Sequence, residues 1–221
     1  MLEKIRVLSS LIPIIFFVLF CKKKATKEYW VFFLYLTISS VIDLVLATSL
    51  WATNNRYLLW NFYGFLENVL LSYFFYLIIR QRFIRILIPF FCLIYLVVFL
   101  LNHKSNNTNL NSYMSAFGSV TLLILCVCYF INSMKSISQP VNIFSPIFII
   151  VVALLFNVSS TMFLNIIANM LTSNQMKDYW VINNYSIILL NFIIATAFLK
   201  LYFQQKSIPP ENHSLDFTSP K

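Results

Sequence analysis

Two carboxylates, Asp43 and Glu67, lie inside long apolar stretches, where an ionised acid costs several kcal/mol even after its surroundings relax. No Lys, Arg or His is expected at matching depth to offset either. Three arrangements relieve that cost. Each acid is carried neutral and hydrogen-bonds amide or hydroxyl neighbours, or the two share a proton, or they draw in a cation or an amine-bearing ligand. The first is helix glue; the other two are function, and intramembrane acids default to function.

Other polar residues recur at helical spacing around these acids. Ser40, Asp43 and Ala47 share a face, with Ser39 beside it; Tyr63, Gly64 and Glu67 share another, adjoined by Asn61, Asn68 and Ser72. Further along, Asn157, Ser160, Thr161, Asn165 and Ala168 form a stripe, and Asn184 and Asn191 stand two turns apart. Polar side chains turn away from lipid, so four helices are expected to aim these stripes at one another and enclose a polar interior. Read alone, the Asn157 to Asn165 stripe is interhelical packing.

Sharper chemistries are excluded on residue types. His103 and His213 fall outside the apolar stretches and no metal-ligand spacing is present, so no metal or other cofactor is expected. Cys21, Cys92, Cys126 and Cys128 lie within apolar stretches, where a thiol behaves as a small hydrophobe. A retinal pump needs a mid-membrane lysine in the last helix, but Lys200 belongs to its final turn. Gly64 and Gly118 are the only glycines, which leaves neither a phosphate-cradling loop nor a GxxxG pair. No internal repeat or paired Gly/Pro interruption marks a transporter, and Pro13, Pro89 and Pro146 read as lying near span ends.

The elements that must position the acids follow from composition. With 60% hydrophobic, 18% aromatic and 10% charged residues, the 221-residue chain has too little polar surface for a water-soluble domain. The expected fold is all-α: a polytopic membrane protein built as a seven-transmembrane helical bundle. Its spans fall at about residues 6–21, 29–51, 57–79, 84–101, 112–131, 145–171 and 182–203, followed by a disordered tail over 204–221. Lys4 and Arg6 before the first apolar run imitate a signal peptide, but Lys22, Lys23 and Lys24 follow Cys21 with no small-residue cleavage site, which predicts a retained helix.

Eleven of the 16 basic residues fall in the loops near 22–28, 80–85 and 132–144 or toward the tail. The positive-inside bias then puts the N-terminus outside and the C-terminus in the cytoplasm, in the inner (plasma) membrane. The net charge of +9 is a topology and lipid-contact signal, and no direct nucleic-acid partner is expected. In that frame Asp43 and Glu67 lie roughly 12 and 15 Å below the outer rim, at 1.5 Å per residue, which predicts an outward-facing pocket.

The segment Asn61-Phe-Tyr-Gly-Phe-Leu-Glu67-Asn-Val-Leu-Leu-Ser-Tyr-Phe-Phe75, the residues Asn111-Ser-Tyr113, and Ser145-Pro-Ile-Phe148 opening a striped helix resemble a group of uncharacterised seven-helix bacterial inner-membrane proteins. Tyr63-x-x-x-Glu67 is the most specific element. The chain is also broadly similar in size and helicity to the membrane accessory proteins of type VI-B CRISPR systems. The resemblance implies a sensor or the membrane component of a signalling or defence module. Its contacts with a cytoplasmic or membrane partner, or with lipid, would fall at Lys22, Lys23, Lys24, Arg80, Arg82 and Arg85. Where that group is aromatic near the start of the sixth helix, this chain has Phe148 and then aliphatics. The alternatives are a small oligomeric channel or proton-coupled carrier, and an intramembrane lipid-acting enzyme with Asp43 and Glu67 as acid and base, for which no motif speaks.

Overall fold

The computed structural model describes residues 2–22, 25–47, 53–103, 112–135, 145–167 and 173–207. Among them the architecture is all-helical: α1 (Leu2–Phe16), α2 (Lys27–Ala47), α3 (Thr53–Ile78), α4 (Arg82–His103), α5 (Ser112–Lys135), α6 (Pro146–Ile167) and α7 (Ser173–Ser207), with a π-helical turn, Phe17–Cys21, continuing α1. Six of the seven helices are long and apolar enough to cross a membrane. α3 falls short because Asn61, Tyr63, Glu67, Asn68, Ser72, Tyr73 and Tyr76 dilute it. The helix with the most chemistry is thus the one that most needs neighbours around it.

Those neighbours form a ring. α1, α2, α3, α5, α6 and α7 pack in that order and close back on α1, while α4 lies outside against α3 and α5. The outer face of α4 shows its environment: Phe83, Ile86, Phe90, Leu93, Val97 and Leu100 recur every three or four residues and all stay exposed. Water would not tolerate a continuous apolar stripe of that length, but acyl chains wet it without cost.

Inside the ring the two halves differ. Toward Cys21, Ile79 and Leu201 the interior is an aromatic plug. Phe17 stacks on Phe33 with ring centroids 4.5 Å apart and meets Phe198 edge-on at 5.1 Å, and Phe32 packs on Phe74 at 5.1 Å. Phe17, Phe32, Phe74, Phe75 and Phe198 retain no accessible surface. The Cys21 thiol donates to the Phe198 carbonyl at 3.2 Å, tying the π-helical turn to α7. The other half is hollow.

Several boundaries depart from the sequence expectation. α1 begins at Leu2 rather than 6, and Pro13 lies within it, fully buried, instead of near a span end. Proline has no N–H for the helical ladder, and the ladder widens to π geometry four residues later, where the Lys22 N–H donates to the Phe17 carbonyl. Pro89 likewise lies within α4. Pro146 takes the first position of α6, where its missing N–H is harmless, and Ser145 Oγ accepts the Phe148 N–H at 3.1 Å as a cap. α7 starts at Ser173 rather than 182 and runs to Ser207, so residues 204–207 are helical instead of tail. Hydropathy marks only the lipid-crossing part of a helix, whereas the backbone ladder continues through polar residues. The remainder of the expected tail, 208–221, lies outside the described residues.

Candidate functional site

A cavity of about 200 Å³ occupies the hollow half and takes side chains from all seven helices. It lies where α1, α3, α5 and α7 begin and where α2, α4 and α6 end, the shared end that an up-and-down bundle gives alternating termini. The plug closes it below.

Asp43 and Glu67 both line this cavity, but they are held differently. Asp43 has a cation: Arg6 Nη2 lies 3.2 Å from Asp43 Oδ1, the two side chains 7% and 16% exposed. This corrects the expectation that no basic group reaches the depth of the acids. Arg6 was placed at the rim because the first span seemed to start there; with α1 beginning at Leu2, Arg6 lies a full turn inside and its long side chain reaches Asp43. Two hydrogen bonds hold α1 in that position. Ser40 Oγ donates to the Ser10 carbonyl at 3.1 Å, and Asn191 Nδ2 donates to Ser9 Oγ at 3.0 Å. Ser40 and Asn191 therefore line the cavity while anchoring the helix that carries its cation. Arg6 Nε, fully enclosed, has no hydrogen-bond partner among the described residues.

Glu67 accepts a hydrogen bond from the Tyr35 hydroxyl at 3.1 Å and, among the described residues, has no cation within ion-pair distance. The Tyr63 hydroxyl donates to Ser39 Oγ at 2.9 Å, joining α3 to α2 beside it. Tyr35 escaped the sequence reading although it stands four and eight residues before Ser39 and Asp43, on the same face of α2.

Asn68 lines the cavity and presses on Gly118 of α5. A Cβ at Gly118 would collide with Asn68 Nδ2 and come 3.3 Å from the Tyr95 ring, while one at Gly64 would meet only Tyr95 Oη at an ordinary 3.6 Å. Gly118 thus admits Asn68. Gly118→Ala is expected to destabilise the protein by about 1–3 kcal/mol, the usual range for forced overpacking. Gly64→Ala is expected to stay within roughly 0.5 kcal/mol of the parent. Thermal unfolding in detergent measures both.

On α6, Asn157 and Thr161 line the cavity, while Ser160 turns to α7. Its hydroxyl lies 2.7 Å from Ser186 Oγ, which in turn donates to Asn157 Oδ1 at 2.9 Å. Ser160, expected among the pocket residues, does not line the cavity but contacts α7, and Ser186 is its unforeseen mate. Asn165 belongs to α6, but its side chain lies outside the described residues. Asn184 is half-buried and does not line the cavity; its neighbour Asn183 does, eight residues before Asn191 on the same face. Near the helix ends, Trp60 and Trp180 meet edge-to-face at 5.1 Å.

Among the described residues no three His, Cys, Asp or Glu side chains converge as metal ligands. At the plugged end, Lys22, Arg80 and Arg82 are exposed. Arg85 is committed: its Nε donates to the Ile79 carbonyl at 2.7 Å and its guanidinium lies 5.4 Å from the Tyr76 ring centre, closing the end of α3. Lys23 and Lys24 lie outside the described residues.

Comparison with family models, curated proteins and solved structures gives no match.

Proposed function

We propose that this multi-pass protein crosses the inner membrane seven times, N-terminus outside and C-terminus in the cytoplasm, and binds a small polar ligand from the outside as a sensor. It would act as the membrane component of a signalling or defence module. The observation that carries this reading is the pairing of a polar cavity, built by every helix, with a sealed aromatic plug beneath it. A blind recess suits binding better than conduction, because a conducting path needs a polar route through both halves. Its size, below the roughly 300–1,000 Å³ of drug-sized sites, suits a small occupant. Exposed Lys22, Arg80 and Arg82 at the plugged end are the surface for a cytoplasmic partner or anionic lipid.

Thiol accessibility in intact cells tests the orientation, with the parent chain as background control. Ser115→Cys and Asn183→Cys are expected to react with a membrane-impermeant maleimide from outside, and Lys22→Cys and Arg80→Cys only after the cells are opened. The reverse pattern would overturn the assignment. Reconstituted protein decides between sensing and carriage: proton or ion flux lost in Asp43→Asn or Glu67→Gln would mean a carrier.

A further inference from the structure

The polar lining of the cavity has a side that is answered within the protein and a side that is not. Around α1 and α2, Arg6 meets Asp43, Ser40 meets the Ser10 carbonyl, and Glu67 sits between the hydroxyls of Tyr35 and Tyr63. Where α3, α4 and α5 meet, two neutral groups stay open. Asn68 is 6% exposed and Tyr95 3%, and both line the cavity. Neither the Asn68 carboxamide nor the Tyr95 hydroxyl has a hydrogen-bond partner among the described residues. Neither is sealed. The enclosed side-chain atoms that lack a partner there are Arg6 Nε and Ser72 Oγ, so the polar atoms of Asn68 and Tyr95 keep accessible surface. On side chains this deeply buried, that surface is the cavity they line. A buried polar group without a partner costs about 1–3 kcal/mol, so water or a ligand must meet these two.

Their surroundings hold them in place. The Tyr95 ring packs against Phe65 and Phe117, with centroids 6.1 and 6.0 Å away, and the Asn68 carboxamide rests on Gly118, where a side chain would displace it. Beyond its own helix, a Cβ on Gly64 would meet only Tyr95 Oη, at 3.6 Å, so the other of the chain's two glycines leaves open space at that hydroxyl.

The chemistry of the two groups selects among ligands. A carboxamide and a phenolic hydroxyl each donate and accept, and neither carries charge. An ammonium would leave the amide hydrogens unmet and a carboxylate would leave the amide oxygen unmet, whereas ligand hydroxyls answer both. Asn157, whose Oδ1 is taken by Ser186, and Asn183 place further uncharged amides around the same lining, so hydroxyls pointing in several directions find partners.

We propose that the cavity takes a neutral polyhydroxylated ring of monosaccharide size, with adjacent hydroxyls bonded to Asn68 and Tyr95. Tyr35, Tyr63, Tyr95, Trp60 and Trp180 supply aromatic surface for the apolar faces of such a ring. The inference rests on the binding-pocket reading above and deepens it.

Trp60 and Trp180 line the same cavity and give the test its readout. Tryptophan fluorescence of the full chain in lipid nanodiscs is titrated with glucose, galactose, ribose and myo-inositol, and with glucosamine, glucuronate and cyclohexanol as cationic, anionic and single-hydroxyl rings. At least one neutral polyol is expected to give a saturable change, with the charged and single-hydroxyl rings about tenfold or more weaker. Tyr95→Phe keeps the ring and removes only the hydroxyl, and is expected to weaken that polyol about three- to tenfold without lowering the melting temperature of the ligand-free protein. Asn68→Leu weakens it at least about tenfold. Gly64→Ala, whose methyl group would occupy the space at Tyr95 Oη, weakens it by a similar factor of about ten with melting unchanged. Unaltered polyol binding in Tyr95→Phe and Gly64→Ala would overturn the assignment of the site. Glucosamine or glucuronate binding more tightly than every neutral polyol would overturn the ligand class and leave a pocket. No saturable response to any of the seven would overturn the proposal as well and leave the two groups to water, the pocket reading being decided separately by the accessibility of Ser115→Cys and Asn183→Cys.

Discussion

Arg6→Met is expected to cost about 3–5 kcal/mol, because it leaves the Asp43 carboxylate enclosed among helices without its cation. In thermal unfolding of the detergent-solubilised protein this is a fall on the order of 10 °C for a chain of this size. Most of the loss belongs to the abandoned charge rather than to the pair itself, since a buried ion pair must overcome the desolvation of both members. The double variant Arg6→Met with Asp43→Leu should therefore recover much of the stability lost in the single one. A double-mutant cycle measures the coupling directly. Additive losses, with no recovery in the double variant, would mean that the 3.2 Å contact contributes nothing and that Arg6 belongs to the rim after all.

The second large effect lies in the plug. Phe198→Ala should destabilise the protein by about 2–3 kcal/mol, from roughly 100 Å³ of vacated volume at ~24 cal/mol per Å³ of cavity. The hydrophobic transfer part of the usual penalty is absent here, because lipid tails are as apolar as the core; what is lost is dispersion contact with Phe17 and Phe32. Phe192→Ala, six residues earlier on the same helix, should cost less than about 0.5 kcal/mol, since that ring is 51% exposed and lipid fills the space it leaves. Equal losses at the two positions, read as shifts in melting temperature, would show that α7 is turned differently from the arrangement described.

The two substitutions probe the two halves of one design. Below, fully buried phenylalanines from the π-helical turn, α2, α3 and α7 pack against one another. Above, the same helices carry Arg6, Asp43, Glu67 and Asn191 around a space they do not fill. Ser40 and Asn191 pin α1 beside the cavity, close to Arg6.

Part of the site was legible in the chain before folding. Asp43 and Glu67 stand out because charge is rare in such stretches, and Asn157, Thr161 and Asn191 stand out because amides and hydroxyls recur at helical spacing. Tyr35 and Asn183 carried the same signal, at four and eight residues from partners already identified. Ser186 carried a weaker one, since a lone serine between isoleucine and tyrosine has no period of its own. Arg6 was misread for a different reason: a basic residue at the start of an apolar run is usually a topology mark, and only the position of the helix start shows whether it lies at the rim or a turn inside.

The sequence by itself determined the class and the elements. Continuous apolar runs interrupted by few charges can only be helices in lipid, because each such segment must satisfy its own backbone hydrogen bonds. That fixed an all-helical chain and set two acids among its helices. The tertiary structure alone decided which helices adjoin, and so which charges meet. α1 closes the ring between α2 and α7, bringing Arg6 to Asp43 and leaving Glu67 with a tyrosine hydroxyl. Spacing along one helix says which residues share a face; it carries no information on which other face lies opposite, and the pairing of charges depends on that alone.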